Sequence, residues 1–332
     1  MENQKPDAKV ILTHLENIKQ QSRLSEYQRW WPDHLFHFTD ILNAVKILSD
    51  GMLLSRSNLE EKEELITDIA SKKVIGSTSS KWKDYVRLYF RPRTPTQFRS
   101  EGFRPLNQRE LESLCPVPIF FILDAKNILV NQKTLFSEGN LAADAQVGGT
   151  SNFFLSLPFE KIYHDHSLWG LSEGAKRNIT FHKNAEVIVP ESLDLSSLKF
   201  IWCRSQAEFE TLIYLLPSKI HQKWVKKIGV GNKSLLFYAY WSFIVKADLN
   251  TSTVSFTFNP SRTPGPFHAE LDIEEVETRI VYSWEEKDFY TEDTLSFDLS
   301  SMTQPEHYVV KFRLDGRLAY QNSFLAETEL PF

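Results

Sequence analysis

Cysteine is nearly missing from this chain: Cys115 and Cys203 are the two among 332 residues, and neither lies in a CxxC or Cys/His spacing. That excludes a disulfide framework and a zinc ribbon, and it fits a reducing compartment. Glycine is scarce, at 12, which argues against β-helical repeats and against nucleotide folds built on Gly-rich loops. No stretch approaches the roughly 18 consecutive apolar residues of a membrane helix. The opening MENQKPDAKVILTHLENIKQQ has no signal-peptide h-region. GxSxG, HExxH and GxGxxG do not occur. A soluble, cytoplasmic protein that binds no membrane is expected.

What is present is enough apolar and aromatic side chain to fill real cores, 42% hydrophobic and 13% aromatic. The net charge of −5 conceals an uneven distribution. Lys81, Lys83, Arg87, Arg91, Arg93, Arg99, Arg104 and Arg109 crowd one stretch against Asp84 and Glu101, whereas 270–293 is acidic. Local charge, not the total, decides whether a polyanion can approach.

Val10, Ile11, Leu15 and Ile18 recur at helical spacing, so 1–33 reads as a helical extension. HLFHFTDILNAVKILSDGMLLSR reads as a strand, a turn and a helix from about Ile41 to Ser49 that Gly51 stops. A charged helix is expected over 59–75. KDYVRLYFRPR, PVPIFFILDA, AEVIVP and LKFIWCRS read as strands, and SQAEFETLIYLL as a helix. From about 233 onward, SLLFYAYWSFIVKA, TVSFTF, TRIVYSW and HYVVKFRL alternate with turns, the pattern of an antiparallel β domain. Gly229 and Gly231 interrupt the pattern and suggest a boundary, giving 34–230 and 231–332 as the two larger domains.

Several short motifs reduce to ordinary structure. His164 and His166 form an HxH pair with no third ligand in an obvious spacing, so a loop is the reading and no metal is expected. GVGNKS and GSTSSK lack the phosphate-loop spacing and read as turns. The two cysteines read as packed thiols.

Four blocks in order carry a resemblance: HLFHFT, then DYVRLYFRPRTPTQF, then PIFFIL, then NAEVIVPESLDLSSLKFIWCRS. Over roughly 34–225 their order, spacing and character resemble DarT-type DNA ADP-ribosyltransferases. The resemblance implies an α+β fold, an ADP-ribosyltransferase-like split β-sheet with helices, here followed by the β-rich C-terminal domain. It also implies NAD⁺ as co-substrate, held without a Gly-rich turn and without metal.

By that resemblance, His37 and Thr39 match the strand-end pair that grips NAD⁺; alternate strand positions let an imidazole and a hydroxyl point to one face. Glu186 matches the catalytic glutamate. Breaking the nicotinamide–ribose bond develops oxocarbenium-like charge that a carboxylate can stabilise, and the same group can serve as general base. A glutamate in a buried apolar run is costly without such a task, although an edge strand facing solvent would explain it too. Glu208, in QAEFETL, is a rival, but a helix follows it where the family pattern has a strand. The family also carries a functional arginine before the DYVxxYF strand. Here Lys72 or Lys73 stands near that place, and Lys73 is taken for the role unless Arg87, Arg91 or Arg93 supplies it; lysine keeps the charge but loses the planar fork. Arg93, in the retained PRTP core, is expected to contact phosphate. In EGAKRNITFHKN, read as a loop, Lys176, Arg177, His182 and Lys183 are expected to meet the target, since basic and aromatic side chains suit single-stranded nucleic acid.

The expected function is therefore transfer of ADP-ribose from NAD⁺ to a base of single-stranded nucleic acid, DNA in the first instance, within a toxin–antitoxin or phage-defence system. The same chemistry on RNA, a protein target and an inactive binding module are the rivals. The acidic DIEEVE segment of the C-terminal domain suggests recruitment of a protein partner, an antitoxin or chaperone, or a seat against the basic half.

Overall fold

The computed structural model describes residues 3–20, 24–62, 79–109, 114–231, 233–292 and 294–326. The chain forms two compact units that alternate along the sequence: Met1–Arg99 with Phe120–Ile201, and Ser100–Ile119 with Trp202–Phe332.

In the first unit, helix α1 (Ala8–Gln20) buries Ile11, Leu15 and Ile18 along one stripe. Its 13 residues are marginal as an isolated helix, so that burial is what sustains it. Strand β1 (His34–Asp40) ends where the Asp40 carboxylate caps helix α2 (Ile41–Asp50), accepting from the Leu42 N–H at 3.2 Å. Gly51 closes that helix in the left-handed region at φ 72, its N–H on the Ile47 carbonyl. The charged helix begins as Arg56–Glu61, and 63–75 of that expectation lies outside the described residues.

Further strands are β2 (Met52–Leu54), β3 (Tyr85–Tyr89), β4 (Pro118–Asp124), β5 (Leu135–Ser137), β6 (Val147–Gly148), β7 (Glu186–Pro190), β8 (Ser192–Asp194) and β9 (Leu198–Cys203). The main sheet runs β9-β4-β1-β3-β7-β5-β6, and β2 pairs with β8 apart from it. Ile119 to Leu123 of β4 are all buried, so this strand reads as a continuous apolar run, not as an alternating one. β3 and β7 share an antiparallel ladder from Tyr85↔Pro190 to Tyr89↔Glu186. β1 instead meets β3 at one registered pair, Phe36↔Tyr89. Its next side chain, His37, lies on the Arg87 carbonyl.

The basic segment before β7 is not the expected loop. It forms helix α3 (Glu173–His182), capped by Ser172, whose hydroxyl accepts from the Ala175 N–H at 3.3 Å. Lys176 pairs with Glu173 one turn earlier at 2.8 Å. A cap at Ser172 and a charge pair at i,i+3 outweigh the interior Gly174.

The second unit contains helix α4 (Gln206–Leu215), strand β10 (Ile228–Val230) and seven longer strands. These are β11 (Ile244–Leu249), β12 (Thr253–Phe258), β13 (Phe267–Glu275), β14 (Val281–Phe289), β15 (Thr294–Asp298), β16 (His307–Leu314) and β17 (Arg317–Leu325). They form two antiparallel sheets, β11-β12-β15 and β14-β13-β16-β17. Phe256 meets Phe312 at 4.9 Å and Tyr320 at 5.5 Å between ring centroids, and Trp284 meets Phe297 at 5.0 Å, so the sheets face each other as a sandwich.

The run SLLFYAYWSFIVKA is not one strand: it opens as a helical turn, Lys233–Leu236, and strand geometry starts only at Ile244. Leu236, Phe237, Trp241 and Phe243 are all buried, and an apolar run buried on every side has no period to read. The Asn259 side chain further captures Trp241 and Phe243, accepting the Phe243 N–H at 2.7 Å and donating to the Trp241 carbonyl at 3.1 Å. Nor is all of DIEEVE at the surface. Glu275 is fully buried, accepting the Thr303 N–H at 2.7 Å, the Gln304 N–H at 3.0 Å and the hydroxyls of Tyr282 and Thr278. Against the upward push of burial, these donors hold its pKa down to about 2.

A buried ion cluster organises this unit. Arg204 is wholly inaccessible and donates both Nε, at 3.0 Å, and Nη2 to Glu208. Its Nη2 also reaches the Pro116 carbonyl at 2.8 Å, and its guanidinium lies 3.9 Å over the Phe243 ring. Glu101 lies 3.7 Å away and accepts the backbone N–H groups of Tyr238 and Ala239. Burial raises the Glu208 carboxyl to about 7 despite Arg204.

Candidate active site

The ladder between β3 and β7 places Glu186 directly across from Tyr89, and two residues back on the same face stands Arg87. The Arg87 guanidinium grips the Glu186 carboxylate with two donors, Nη2 to Oε1 at 2.6 Å and Nε to Oε2. The fork matches a carboxylate in both distance and planarity. Glu186 itself is 1% exposed. Burial pushes its carboxyl pKa upward and Arg87 opposes that push; the net direction is up. Burial works against the Arg87 charge, but the neighbouring carboxylate outweighs it and the guanidinium pKa is raised. The Tyr89 phenol, buried beside the same carboxylate, is also raised and stays protonated.

Two further contacts fix this pair. The Glu186 N–H donates to the Ser137 hydroxyl at 2.9 Å, and that hydroxyl donates to the Gly139 carbonyl at 2.8 Å. On the β1 side, His37 Nδ1 lies 3.1 Å from the Arg87 carbonyl oxygen. A carbonyl can only accept, so the proton belongs on Nδ1 and Nε2 is left as an acceptor. Burial lowers the His37 pKa, which keeps the ring neutral. Arg87 of β3 thus touches both neighbouring strands, Glu186 of β7 through its side chain and His37 of β1 through its backbone. Thr39 is buried, and its hydroxyl accepts from Asn43 Nδ2 at 3.2 Å.

Beyond Tyr89 the chain builds a second polar cluster. Arg91 is fully buried, pairs with Asp165, and donates to the carbonyls of Pro92 at 2.9 Å, Ile162 at 3.3 Å and His164. Its guanidinium also lies 4.9 Å over the Trp31 ring. Arg93 reaches the other Asp165 oxygen at 3.2 Å, where Tyr27 also donates at 2.9 Å. Arg93 holds a left-handed φ of 56 with its N–H on the Gln97 side chain at 2.7 Å. Lys183 stands within the field of this cluster: burial first, then Arg91 and Arg93 against Asp165, lower its pKa to about 8.

The residues singled out from the sequence therefore fall into different settings. Glu186 and His37 are joined through Arg87, and Thr39 lies two residues along β1 from His37. Arg93 and Lys183 belong to the Asp165 cluster. Lys176 pairs with Glu173, Arg177 is exposed, and buried His182 gives its Nδ1 to the Glu138 carbonyl at 2.6 Å. Lys73 lies outside the described residues. Glu208, the rival glutamate, is committed to Arg204. Sequence reasoning did not single out the partnership of Arg87 with Glu186, although the i,i+2 spacing of Arg87 and Tyr89 along a strand was a usable signal. Ser137 carried none. Among the described residues no three His, Cys, Asp or Glu side chains are grouped to hold a metal ion, and no helix is long and apolar enough to cross a membrane.

Residues 36–231 match the sequence family described as ssDNA thymidine ADP-ribosyltransferase, DarT. Solved structures similar to this chain include DarT of Thermus sp. 2.9 in complex with NAD⁺, at 18% identity over 62% of this chain and 98% of that one, with a TM-score of 0.46. The same protein in complex with ADP-ribosylated ssDNA is similar at 18% identity over 62% and 97%, with a TM-score of 0.47. DarTG of Thermosipho africanus in complex with ADP-ribose is similar at 15% identity over 66% and 53%, with a TM-score of 0.44. No curated protein matches the chain.

Proposed function

The chain belongs to the DarT family of ssDNA thymidine ADP-ribosyltransferases, and from that footing we propose that it transfers ADP-ribose from NAD⁺ to a base of single-stranded DNA, with Glu186 as the catalytic carboxylate. The observation that carries this reading is the buried Glu186 carboxylate, gripped by the Arg87 fork, whose own backbone carbonyl meets His37 of β1.

NAD⁺ supplies the reactive bond, between nicotinamide and ribose; the chain supplies charge and position. Glu186 stabilises positive charge as it develops on the sugar and accepts the proton of the attacking base nitrogen. Arg87 favours the ionised form of that carboxylate against the push of burial and sets its plane. The charge that the family carries before this strand falls to Lys73, which keeps the charge without the planar fork, or to the Arg87 guanidinium itself. His37, with Nε2 free to accept, and Thr39 hold the dinucleotide. Their neutral polar atoms suit amide and hydroxyl groups. Arg93 takes phosphate, and Lys176, Arg177, His182 and Lys183 face the target strand. We assign 34–230 to the transferase and 231–332 to an accessory β-rich part that recruits an antitoxin protein. The setting is a cytoplasmic toxin–antitoxin or phage-defence system.

The test incubates the protein with labelled NAD⁺ and matched single-stranded DNA and RNA, with Glu186→Ala as control. Label on DNA that is lost in the variant supports the reading. Label on RNA keeps the chemistry and overturns the target, and NAD⁺ left unconsumed with no label on either strand overturns the enzyme.

A further inference from the structure

Trp169 is the most exposed large apolar side chain among the described residues, at 92%. The next after it, Leu106, is at 70%. A soluble domain gains nothing from holding an indole in water, because that side chain carries one of the largest apolar areas available for burial. Its placement is built. The Leu171 N–H donates to the Leu168 carbonyl at 3.2 Å, closing a four-residue turn with Trp169 and Gly170 at its centre. Gly170 has φ +82, whereas Trp169 is not among the positive-φ residues, and that combination is the type II turn. Glycine is required at the third position, and the second, where Trp169 stands, points outward at the tip. The Trp169 N–H is further held by the Ser167 hydroxyl at 3.1 Å.

The stem of this turn is anchored beside the candidate site. Arg91, two residues beyond the Tyr89↔Glu186 pair, binds the carbonyls of Ile162 and His164 and the carboxylate of Asp165. Arg91 follows the end of β3, so the segment that leads into the turn, Ile162 to Asp165, is tied to that end of the β3–β7 ladder. On its other side the chain runs through α3 straight back into β7. The local charge favours an anion. Asp165 is taken by Arg91 and Arg93, and Glu173 by Lys176, while Lys161, Arg177 and Lys183 stand against Glu160 alone.

We propose that Trp169 is a stacking platform for a base of the single-stranded DNA. The inference rests on the function proposed above and adds to it the residue that positions the strand. Every nucleobase offers a π-face, so an exposed indole on a rigid turn binds unpaired bases without reading their identity, while cations around it hold the phosphates. A duplex, whose bases are stacked on one another, offers the indole no free face.

The experiment compares Trp169→Ala and Trp169→Phe with the parent chain. It uses fluorescence anisotropy of a labelled thymidine-containing oligonucleotide and, separately, the KM for that strand and for NAD⁺. Expected for Trp169→Ala is a strand KM and Kd raised about 10- to 100-fold, with the KM for NAD⁺ unchanged. Trp169→Phe is expected to keep most of the affinity, because a smaller ring still stacks. A strand Kd within twofold of the parent in Trp169→Ala overturns the inference while leaving the proposed function standing. Loss of NAD⁺ affinity together with strand affinity overturns it as well, by making the residue part of the fold. A parent chain that neither binds nor modifies the strand overturns the function and this inference with it.

Discussion

Arg87 and Glu186 are bound face to face, two guanidinium nitrogens on two carboxylate oxygens, across neighbouring strands from positions 99 residues apart in sequence. The Arg87 carbonyl extends the pair to His37 on the neighbouring strand. Burial raises the Glu186 carboxyl pKa, and this guanidinium opposes the rise.

The acidic limb of the pH–rate profile follows from that pairing. Burial raises the Glu186 carboxyl above its ordinary range even with Arg87 in place. The active form is the carboxylate, so activity should rise as pH climbs through that raised value. Arg87→Ala should move the limb to still higher pH, because the opposing charge is gone, and Arg87→Lys should move it less. Rates measured across pH at saturating NAD⁺ check this; an unmoved limb in Arg87→Ala would separate Arg87 from the ionisation of Glu186.

Replacing the carboxylate should remove the chemistry and not the fold. Glu186→Gln keeps an oxygen for the Arg87 fork while losing the negative charge, and kcat should drop about 100-fold or more. Thermal unfolding of Glu186→Gln should stay close to the parent, and a collapse of the fold there would assign Glu186 a structural role instead.

Lys183 should make strand binding depend on pH. Its pKa is lowered to about 8, so its charge is lost as pH rises through that value. Affinity for single-stranded DNA should therefore weaken above about pH 8 in the parent. Lys183→Arg, which stays charged, should flatten the dependence, and Lys183→Gln should be weak at every pH. Oligonucleotide anisotropy at pH 7 and pH 9 distinguishes the three.

The buried cluster in the second unit should govern stability. Glu208 has its folded pKa raised to about 7 by burial, above the ordinary 4.5. The stabilising contribution of its proton is complete below about 4.5 and is lost as pH rises through about 7. Urea unfolding should thus show stability declining over that window, and Glu208→Gln, which mimics the protonated form, should flatten it. Arg204→Met leaves two carboxylates buried without their cation and should cost about 3–5 kcal/mol.

Truncation before residue 233 should fail to give a stable chain. Glu101 takes its two backbone N–H donors from Tyr238 and Ala239, and Arg204 lies over Phe243. Removing them leaves buried charge unsatisfied. Circular dichroism and proteolysis of residues 1–232 check this, and a folded, protease-resistant product would refute it.

Much of the local structure was determined by sequence alone, for reasons that act over a few residues. Asp40 and Gly51 bracket α2 because a carboxylate caps N–H groups at one end and glycine accepts φ 72 at the other. The uninterrupted PIFFIL run could only be a strand covered on both faces. The order of the four blocks led to the family and to Glu186, His37 and Thr39. Tertiary structure decided what depends on which strands lie side by side. Only the ladder of β3 with β7 brings Arg87 to Glu186, and only the placing of β1 beside β3 brings the His37 ring onto the Arg87 carbonyl. The same holds for Arg204 with Glu208, for Asp165 with Arg91 and Arg93, and for Glu275, whose acidic surroundings in sequence gave no sign that it is buried. Caps and turns are local contacts, written in neighbouring residues. Pairing a buried charge with its partner is a long-range event, and the sequence carries each half without the distance between them.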